Sequence, residues 1–101
     1  MPITVEINGT VASIILSGGI DYSTQEEFKQ ANVQALSADS VSEIHVNFAE
    51  TTFLDSSGIR ALVMLQKEAD ASGKLLILLN CNEQMREIFE IGGFDRMFTF
   101  R

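Results

Sequence analysis

An acid, two hydroxyls and a glycine stand side by side where an apolar run gives way to a helix-like pattern. These residues are Asp55, Ser56, Ser57 and Gly58. They could cap a helix, because Asp and Ser side chains accept hydrogen bonds from its first backbone N–H groups. One serine could instead be a catalytic nucleophile. A serine could also accept a phosphoryl group, since free N–H groups and the dipole at a helix N-terminus favour an anion.

A catalytic role would need partners that the sequence does not supply. His45 is the only histidine, and its place inside an alternating strand pattern predicts a partly buried structural side chain. Neither serine lies in a G-x-S-x-G elbow, and the chain has no P-loop motif for a nucleotide. Cys81 is the single cysteine, so clustered metal ligands are missing as well. We therefore predict no catalytic activity, no metal and no cofactor.

The cap and the phosphorylation site are compatible interpretations of the same residues. A phosphoryl group would add about −1.5 to −2 charges beside Asp55, on a chain whose net charge is already −7. Repulsion and desolvation would then suffice to abolish binding at that surface without unfolding the protein. The spacing alone does not choose between Ser56 and Ser57.

The composition excludes several classes of partner. The chain has 101 residues, of which 46% are hydrophobic, and we expect a single domain spanning residues 1–101. Its 14 acidic side chains outnumber 7 scattered basic ones. Because nucleic acid and anionic lipid both require a clustered basic face, we expect neither nucleic acid nor a membrane as partner.

Other features of the sequence favour a cytoplasmic location. The lone Cys81 cannot form an internal disulfide, which fits a reducing compartment. No basic region precedes an apolar one after Met1, so no secretory signal is predicted. The longest apolar runs, such as Leu75–Leu79, are too short to span a bilayer.

Periodicity predicts the elements that position these residues. Two alternating runs flank Asn8 and Gly9, the strongest short hairpin signal, so the first two strands should be antiparallel. Ser23 and Glu26 form a predicted capping box, and the apolar run at 74–79 is typical of a strand buried on both faces. The predicted strands are residues 3–7, 10–16, 43–48, 74–79 and 97–100. The predicted helices are residues 23–36, 58–72 and a third that follows Asn82 and ends at Gly92 and Gly93.

The order of these elements is a hairpin followed by α-β-α-β-α-β. Strands that alternate with helices imply right-handed crossovers between parallel neighbours. We therefore predict an α/β fold with a mixed, mostly parallel sheet, in which the first strand is an antiparallel edge.

Side-chain patterns assign faces to the first two predicted helices. The first has an apolar stripe of Phe28, Ala31, Val33 and Leu36. The second has an apolar stripe of Ala61, Leu62, Leu65 and Ala69, and an opposite line of Ser56, Arg60, Met64 and Lys67. We hypothesise that this line forms a docking face with the loop at Asp21 and Tyr22. Met64 is then an adaptable contact or a stray exposed residue, and Tyr22 is an interface anchor or a staple for its helix.

Several motifs together resemble one known family over essentially the whole chain. They are Gly19-Ile20-Asp21 with Ser23-Thr24, Val46-Asn47-Phe48, Phe53-Leu54-Asp55-Ser56-Ser57-Gly58-Ile59, Gly73-Lys74-Leu75, and Ile88-Phe89 with Gly92-Gly93-Phe94. In this order and spacing the chain resembles STAS domains of bacterial anti-sigma factor antagonists. The resemblance implies a STAS-type fold.

The resemblance also implies a phosphorylation-controlled partner switch. An unphosphorylated antagonist of this kind binds an anti-sigma factor that has serine kinase activity, and this binding releases the sigma factor. Phosphorylation of a serine blocks the binding, and a metal-dependent serine phosphatase removes the phosphate. Carried over by position, the phosphorylated residue is Ser56. Asp21 and Asp55 match acidic positions near it, and Ser57 matches the neighbouring hydroxyl. Two alternatives remain: a STAS accessory subunit of a transport assembly, such as a lipid-transport ATPase, and a small hydrolase.

Overall fold

The computed structural model describes residues 3–101, so the expectation of no leader sequence, which concerns Met1 and Pro2, lies outside the described residues. Regular elements occupy most of this range. The strands are β1 (Ile3–Asn8), β2 (Val11–Ile20), β3 (Glu43–Leu54), β4 (Leu75–Leu79) and β5 (Thr99–Phe100). The helices are α1 (Gln25–Ser37), which follows a 3-10 turn at Tyr22–Thr24, α2 (Ser56–Ala71) and α3 (Glu83–Ile91).

The strands form one sheet in the order β1-β2-β3-β4-β5. β1 pairs antiparallel with β2 through the Asn8-Gly9 turn, in which Gly9 has a φ of 60°. The other three pairings are parallel. This arrangement confirms the predicted mixed sheet with an antiparallel edge strand.

The three helices cover the same face of the sheet. Each parallel step moves in one direction across the sheet, and right-handed crossovers then place every connecting helix on one side. The buried residues of the helices accordingly belong to the same apolar cluster as alternate residues of β2, β3 and β4. The helical members are Phe28, Ala31, Ala35, Leu62, Leu65, Ala69, Met85 and Phe89, and the strand members include Ile14, Leu16, Ile44, Val46, Leu76 and Leu78.

The opposite face of the sheet corrects one expectation about β4. The prediction that this strand is buried on both faces is wrong at its start, where Leu75 is 48% exposed. Ile77 is nevertheless fully buried, although it does not belong to the apolar cluster. Arg101, which follows β5, lies 3.7 Å from Glu43 on β3. Because β4 separates these two strands, the Arg101 side chain extends across β4 towards Glu43.

The end of β3 is longer than predicted. Residues 49–54, which were expected to form a loop, continue the strand to Leu54 beside an equally extended β2 that ends at Ile20. The pairing continues across two register shifts, which interrupt the apolar alternation that the prediction relied on. This extension leads the chain to Asp55 and the start of α2 at Ser56.

Two predictions about α1 are also wrong. Asp21, and not Ser23, is the capping residue: its side chain caps the 3-10 turn, with Thr24 completing the capping box, and α1 begins only at Gln25. Val33 is exposed instead of joining the apolar stripe. It lies five residues after Phe28, about 140° around the helix at 100° per residue, whereas the buried Ala35 lies at a core-facing angle.

Adjacent residues of α2 test this assignment of helix faces. Leu65 is 1% exposed and Met64 is 50% exposed. Leu65→Ala should lower the free energy of unfolding by about 2–5 kcal/mol, because it leaves a cavity in the core. Met64→Ala should change the free energy of unfolding by no more than about 0.5 kcal/mol. Urea denaturation of both variants measures the difference, and equal losses would place Met64 in the core.

Candidate functional site

The start of α2 is held by the carboxylate of Asp55. One oxygen, Oδ1, accepts hydrogen bonds from the backbone N–H of Ser57 at 2.9 Å and of Gly58 at 3.1 Å. The Ser57 hydroxyl donates a third hydrogen bond to the same atom at 2.6 Å. Asp55 is therefore the N-cap, and it satisfies two of the backbone donors that a helix start leaves free.

The cap distinguishes the two serines, which the sequence could not do. The Ser57 hydroxyl is engaged with Asp55, and its side chain is partly buried. Ser56 is the first residue of α2 and is exposed, and its hydroxyl makes none of the hydrogen bonds that form the cap. Ser56 is thus the more accessible of the two hydroxyls at this helix N-terminus.

The loop at Asp21 and Tyr22 lies beside this cap. Parallel pairing sets Ile20 opposite Leu54, and the Asp55 backbone N–H donates to the Ile20 carbonyl at 3.1 Å. Asp21 itself accepts hydrogen bonds from the Ser23 backbone N–H and hydroxyl, at 2.9 Å and 2.6 Å. Tyr22 is 74% exposed, so its ring does not staple the helix.

The electrostatics of Asp55 follow from these contacts. The Ser57 hydroxyl is the main group that lowers the pKa of the Asp55 carboxyl below its ordinary value of 3.8, and burial partly opposes this effect. The backbone N–H groups of Gly58, Ser57 and Tyr22 also lower the pKa. Asp55 is therefore a carboxylate at neutral pH, and it stabilises the helix start in that form.

The predicted line on α2 is exposed along its whole length, and two of its residues, Arg60 and Met64, line a groove. Ser56, Arg60, Met64 and Lys67 all lie at the surface. The groove, between α1 and α2, has a volume of about 350 Å³. Its walls comprise Gln25, Glu26, Lys29, Asn32 and Val33 from α1, and Ser57, Arg60, Ala61, Met64, Leu65 and Glu68 from α2.

The α1 side of this groove is the part that the sequence analysis missed. Val33 is an exposed apolar residue that faces the same space as Met64. Asn32 is only 7% exposed, and its buried Oδ1 has no hydrogen-bond partner. A buried acceptor of this kind costs about 1–3 kcal/mol unless a donor reaches it. The sequence does indicate that Val33 is exposed, because its angular position on α1 falls outside the apolar stripe that begins at Phe28.

The remaining reactive side chains lie away from this site. His45 is partly buried on the helix-free face, with Nε2 2.6 Å from Glu43 Oε1. Burial raises the pKa of the Cys81 thiol to about 11, so this thiol is protonated at neutral pH. Among residues 3–101, no three His, Cys, Asp or Glu side chains cluster as a metal site requires. None of the helices in this range is both long and apolar enough to cross a membrane.

The lowered pKa of Asp55 predicts a pH-dependent contribution to stability. Above about pH 3.8, Asp55 is ionised in the folded and in the unfolded chain, and its full contribution to stability is present. This contribution is lost as the pH falls through the lower pKa of Asp55 in the folded protein. Asp55→Asn keeps a capping side chain but removes the charge, and should cost about 0.5 kcal/mol at neutral pH. Urea denaturation from neutral pH down to about pH 2.5 should show this difference shrinking towards zero.

Asp55→Ala provides the matched control, because it removes the cap itself. It should lower the free energy of unfolding by about 1 kcal/mol at neutral pH. A difference between Asp55→Asn and the wild type that stayed constant over the whole pH range would contradict the role assigned to the carboxylate.

Comparison with known proteins agrees with this fold. The profile of the family described as "Mlab, STAS domain" matches residues 3–99. A STAS-domain containing protein of Pseudomonas aeruginosa is 26% identical over 91 residues, which are 90% of this chain and 88% of that protein. The anti-sigma F factor antagonist of Lysinibacillus sphaericus is 30% identical over 80 residues, which are 79% of this chain and 68% of that protein.

Solved structures show the same similarity. The anti-sigma factor antagonist SpoIIAA in its unphosphorylated form superposes with a TM-score of 0.78 at 26% identity, over 98% of this chain and 86% of that chain. The phosphorylated form of SpoIIAA, a Bacillus cell fate determinant, gives a TM-score of 0.77 at 26% identity, over 98% of this chain and 90% of that chain. The chain therefore belongs to the STAS domain family, and its relatives include proteins named anti-sigma factor antagonists.

Proposed function

We propose that this protein is an anti-sigma factor antagonist that binds an anti-sigma factor when Ser56 is unphosphorylated, which frees the sigma factor. When Ser56 carries a phosphate, the protein no longer binds the anti-sigma factor. The observation that carries this proposal is the different environment of the two serine hydroxyls at the start of α2. Ser57 is tied to Asp55 by its hydroxyl, whereas Ser56 presents an exposed hydroxyl outside the cap. Similarity to SpoIIAA, whose structure is known in unphosphorylated and phosphorylated forms, supports control by phosphorylation.

A phosphate on Ser56 is compatible with the fold. The residue is exposed and contributes no hydrogen bond to the cap, so the modification need not break any contact that holds α2. The helix N-terminus stabilises an anion through its dipole, although the neighbouring Asp55 carboxylate opposes this effect. The modified surface would carry about two further negative charges, which a docked partner would have to desolvate or tolerate.

The groove between α1 and α2 is the proposed docking surface, together with the exposed Tyr22. Arg60 and Met64 lie at i+4 and i+8 from Ser56, so a partner in the groove would approach the modified hydroxyl. Met64 and Val33 offer apolar contacts on opposite walls. The exposed Arg60 side chain on the α2 wall offers a polar contact. These features suit a protein surface with an apolar anchor and a polar contact.

The catalytic steps of the cycle are assigned to partner proteins. The partner that binds this surface would be an anti-sigma factor with serine kinase activity, and ATP would belong to that kinase. A metal-dependent serine phosphatase would restore the free hydroxyl. We infer that the chain, one STAS domain over residues 1–101, is itself not an enzyme and acts in the cytoplasm.

Phosphate mapping tests the assignment of Ser56. The protein is incubated with candidate anti-sigma factor kinases and ATP, and the modified residue is identified by mass spectrometry. We expect a single phosphate on Ser56 and none on the Ser56→Ala variant. Ser57→Ala should still be phosphorylated on Ser56, although it loses a hydrogen bond worth about 1 kcal/mol to the folded state.

Two outcomes would overturn the proposal. A phosphate on Ser57 instead of Ser56 would show that accessibility at the helix start does not select the acceptor. Stable incorporation of the protein into a transport complex, without modification by any candidate kinase, would favour the alternative of a transport accessory subunit.

Met64 tests the docking surface. Because Met64 is half exposed and lines the groove, Met64→Asp should weaken binding of the anti-sigma factor by at least about tenfold. Its free energy of unfolding should change by less than about 0.5 kcal/mol. Met97→Asp is the matched control, since Met97 is 41% exposed and lies outside the groove. Calorimetric titration of both variants gives the affinities, and equal losses would remove the groove from the interface.

A further inference from the structure

A second surface, unrelated to the α1–α2 groove, combines exposed apolar side chains from β3 and α3. Phe53, near the end of β3, is 50% exposed, and Ile88 and Ile91 on α3 are 41% and 83% exposed. These side chains line a cavity of about 340 Å³, together with Thr52, Leu54, Asn82, Gln84, Met85 and Glu87. We call Phe53, Ile88 and Ile91 the α3 patch.

The α3 patch does not come from the packing of the core. Met85 and Phe89 are the buried residues of α3, and they project towards the sheet. Ile88 and Ile91 lie on a different side of the helix. The ring of Phe53 rests over Gly19, where an added Cβ would lie 2.2 Å from its Cε1 atom. One face of the Phe53 ring thus packs against the Gly19 backbone, and the side chain remains half exposed.

An acidic stripe runs alongside the α3 patch on the same helix. Gln84, Ile88 and Ile91 have the spacing i, i+4, i+7, which places them on one line along α3. The residues one position earlier, Glu83, Glu87 and Glu90, form a parallel line of exposed carboxylates. An apolar line and an acidic line therefore lie side by side, and Glu87 also lines the cavity.

We propose that the α3 patch binds a basic amphipathic segment of another protein. Apolar side chains of such a segment would fill the cavity at Phe53, Ile88 and Ile91, while lysines or arginines at matching spacing would face Glu83, Glu87 and Glu90. A second copy of this chain fits less well, because it would bring its own acidic stripe and a net charge of −7 to the contact. The α3 patch shares no residue with the α1–α2 groove, so this inference stands independently of the proposed function.

A synthetic helical peptide of about 18 residues serves as the probe, since shorter isolated helices are marginal in water. It carries leucines at i, i+4, i+7 and lysines on the adjacent line. Titration into the ¹⁵N-labelled full chain should shift amide signals of residues 52–54 and 83–91 and leave those of the α1–α2 groove unchanged. Ile91→Ser should weaken binding about tenfold, as expected for losing a buried Ile contact.

Matched controls distinguish specific binding at the α3 patch from general electrostatic attraction between a basic peptide and an acidic protein. Ile7→Ser removes an isoleucine side chain that is 41% exposed but lies on β1, outside both surfaces, and should leave the affinity for the peptide unchanged. A peptide with alanines in place of the leucines should bind at least about tenfold more weakly. Equal binding of the alanine peptide, or shifts spread over all acidic surfaces, would overturn the proposal. A dimer of the free protein that Ile91→Ser dissociates would make a second copy the occupant and would overturn it as well.

Discussion

The three hydrogen bonds that converge on Asp55 Oδ1 are the interaction on which the site depends. They fix the first turn of α2, and they draw the Ser57 hydroxyl towards the carboxylate at 2.6 Å. With Ser57 held in this way, the preceding serine is left at the exposed end of the helix. The Asp55 backbone N–H also donates a hydrogen bond to the Ile20 carbonyl at 3.1 Å, so this residue links the end of β2 to the start of α2.

The helices on one side of the sheet explain why the two proposed binding surfaces start at the same edge. Since β2, β3 and β4 are parallel, their carboxyl ends meet at one edge, and α1, α2 and α3 all begin there. β2 and β3 continue beyond the end of β4, so Asp55 and Ser56 lie further from the centre of the sheet than the end of β4 does. The groove between α1 and α2 leads from this point along both helices, and the α3 patch lies against the extended end of β3.

The sequence predicted the architecture because its signals were strong and local. The Asn8-Gly9 hairpin, the glycine that ends α2 and the Asn82 cap were each recognisable from residue types, and the structure confirms them. The order of elements then determined the sheet. The exposed line on α2 was also predicted correctly, since helical spacing separates Met64 from Leu65.

The parts that could not be predicted depend on contacts between distant residues. The polar stretch at 49–52 does not alternate like a strand, and only pairing with β2 across two register shifts makes it one. Asp21 displaced Ser23 as a cap because the chain forms a 3-10 turn before α1. The unpartnered Asn32 and the difference between Ser56 and Ser57 are likewise consequences of three-dimensional geometry, and residue types alone contained neither.

We propose that a phosphate on Ser56 controls docking without disturbing the fold. The most direct measurement is the affinity of a candidate anti-sigma factor for the protein before and after stoichiometric phosphorylation of Ser56, with thermal unfolding followed on the same samples. We expect phosphorylation to lower the affinity by about 100-fold, within the range of typical coupling energies, and to leave the melting temperature unchanged. Equal affinity of the two forms would contradict it, as would a loss of affinity accompanied by unfolding.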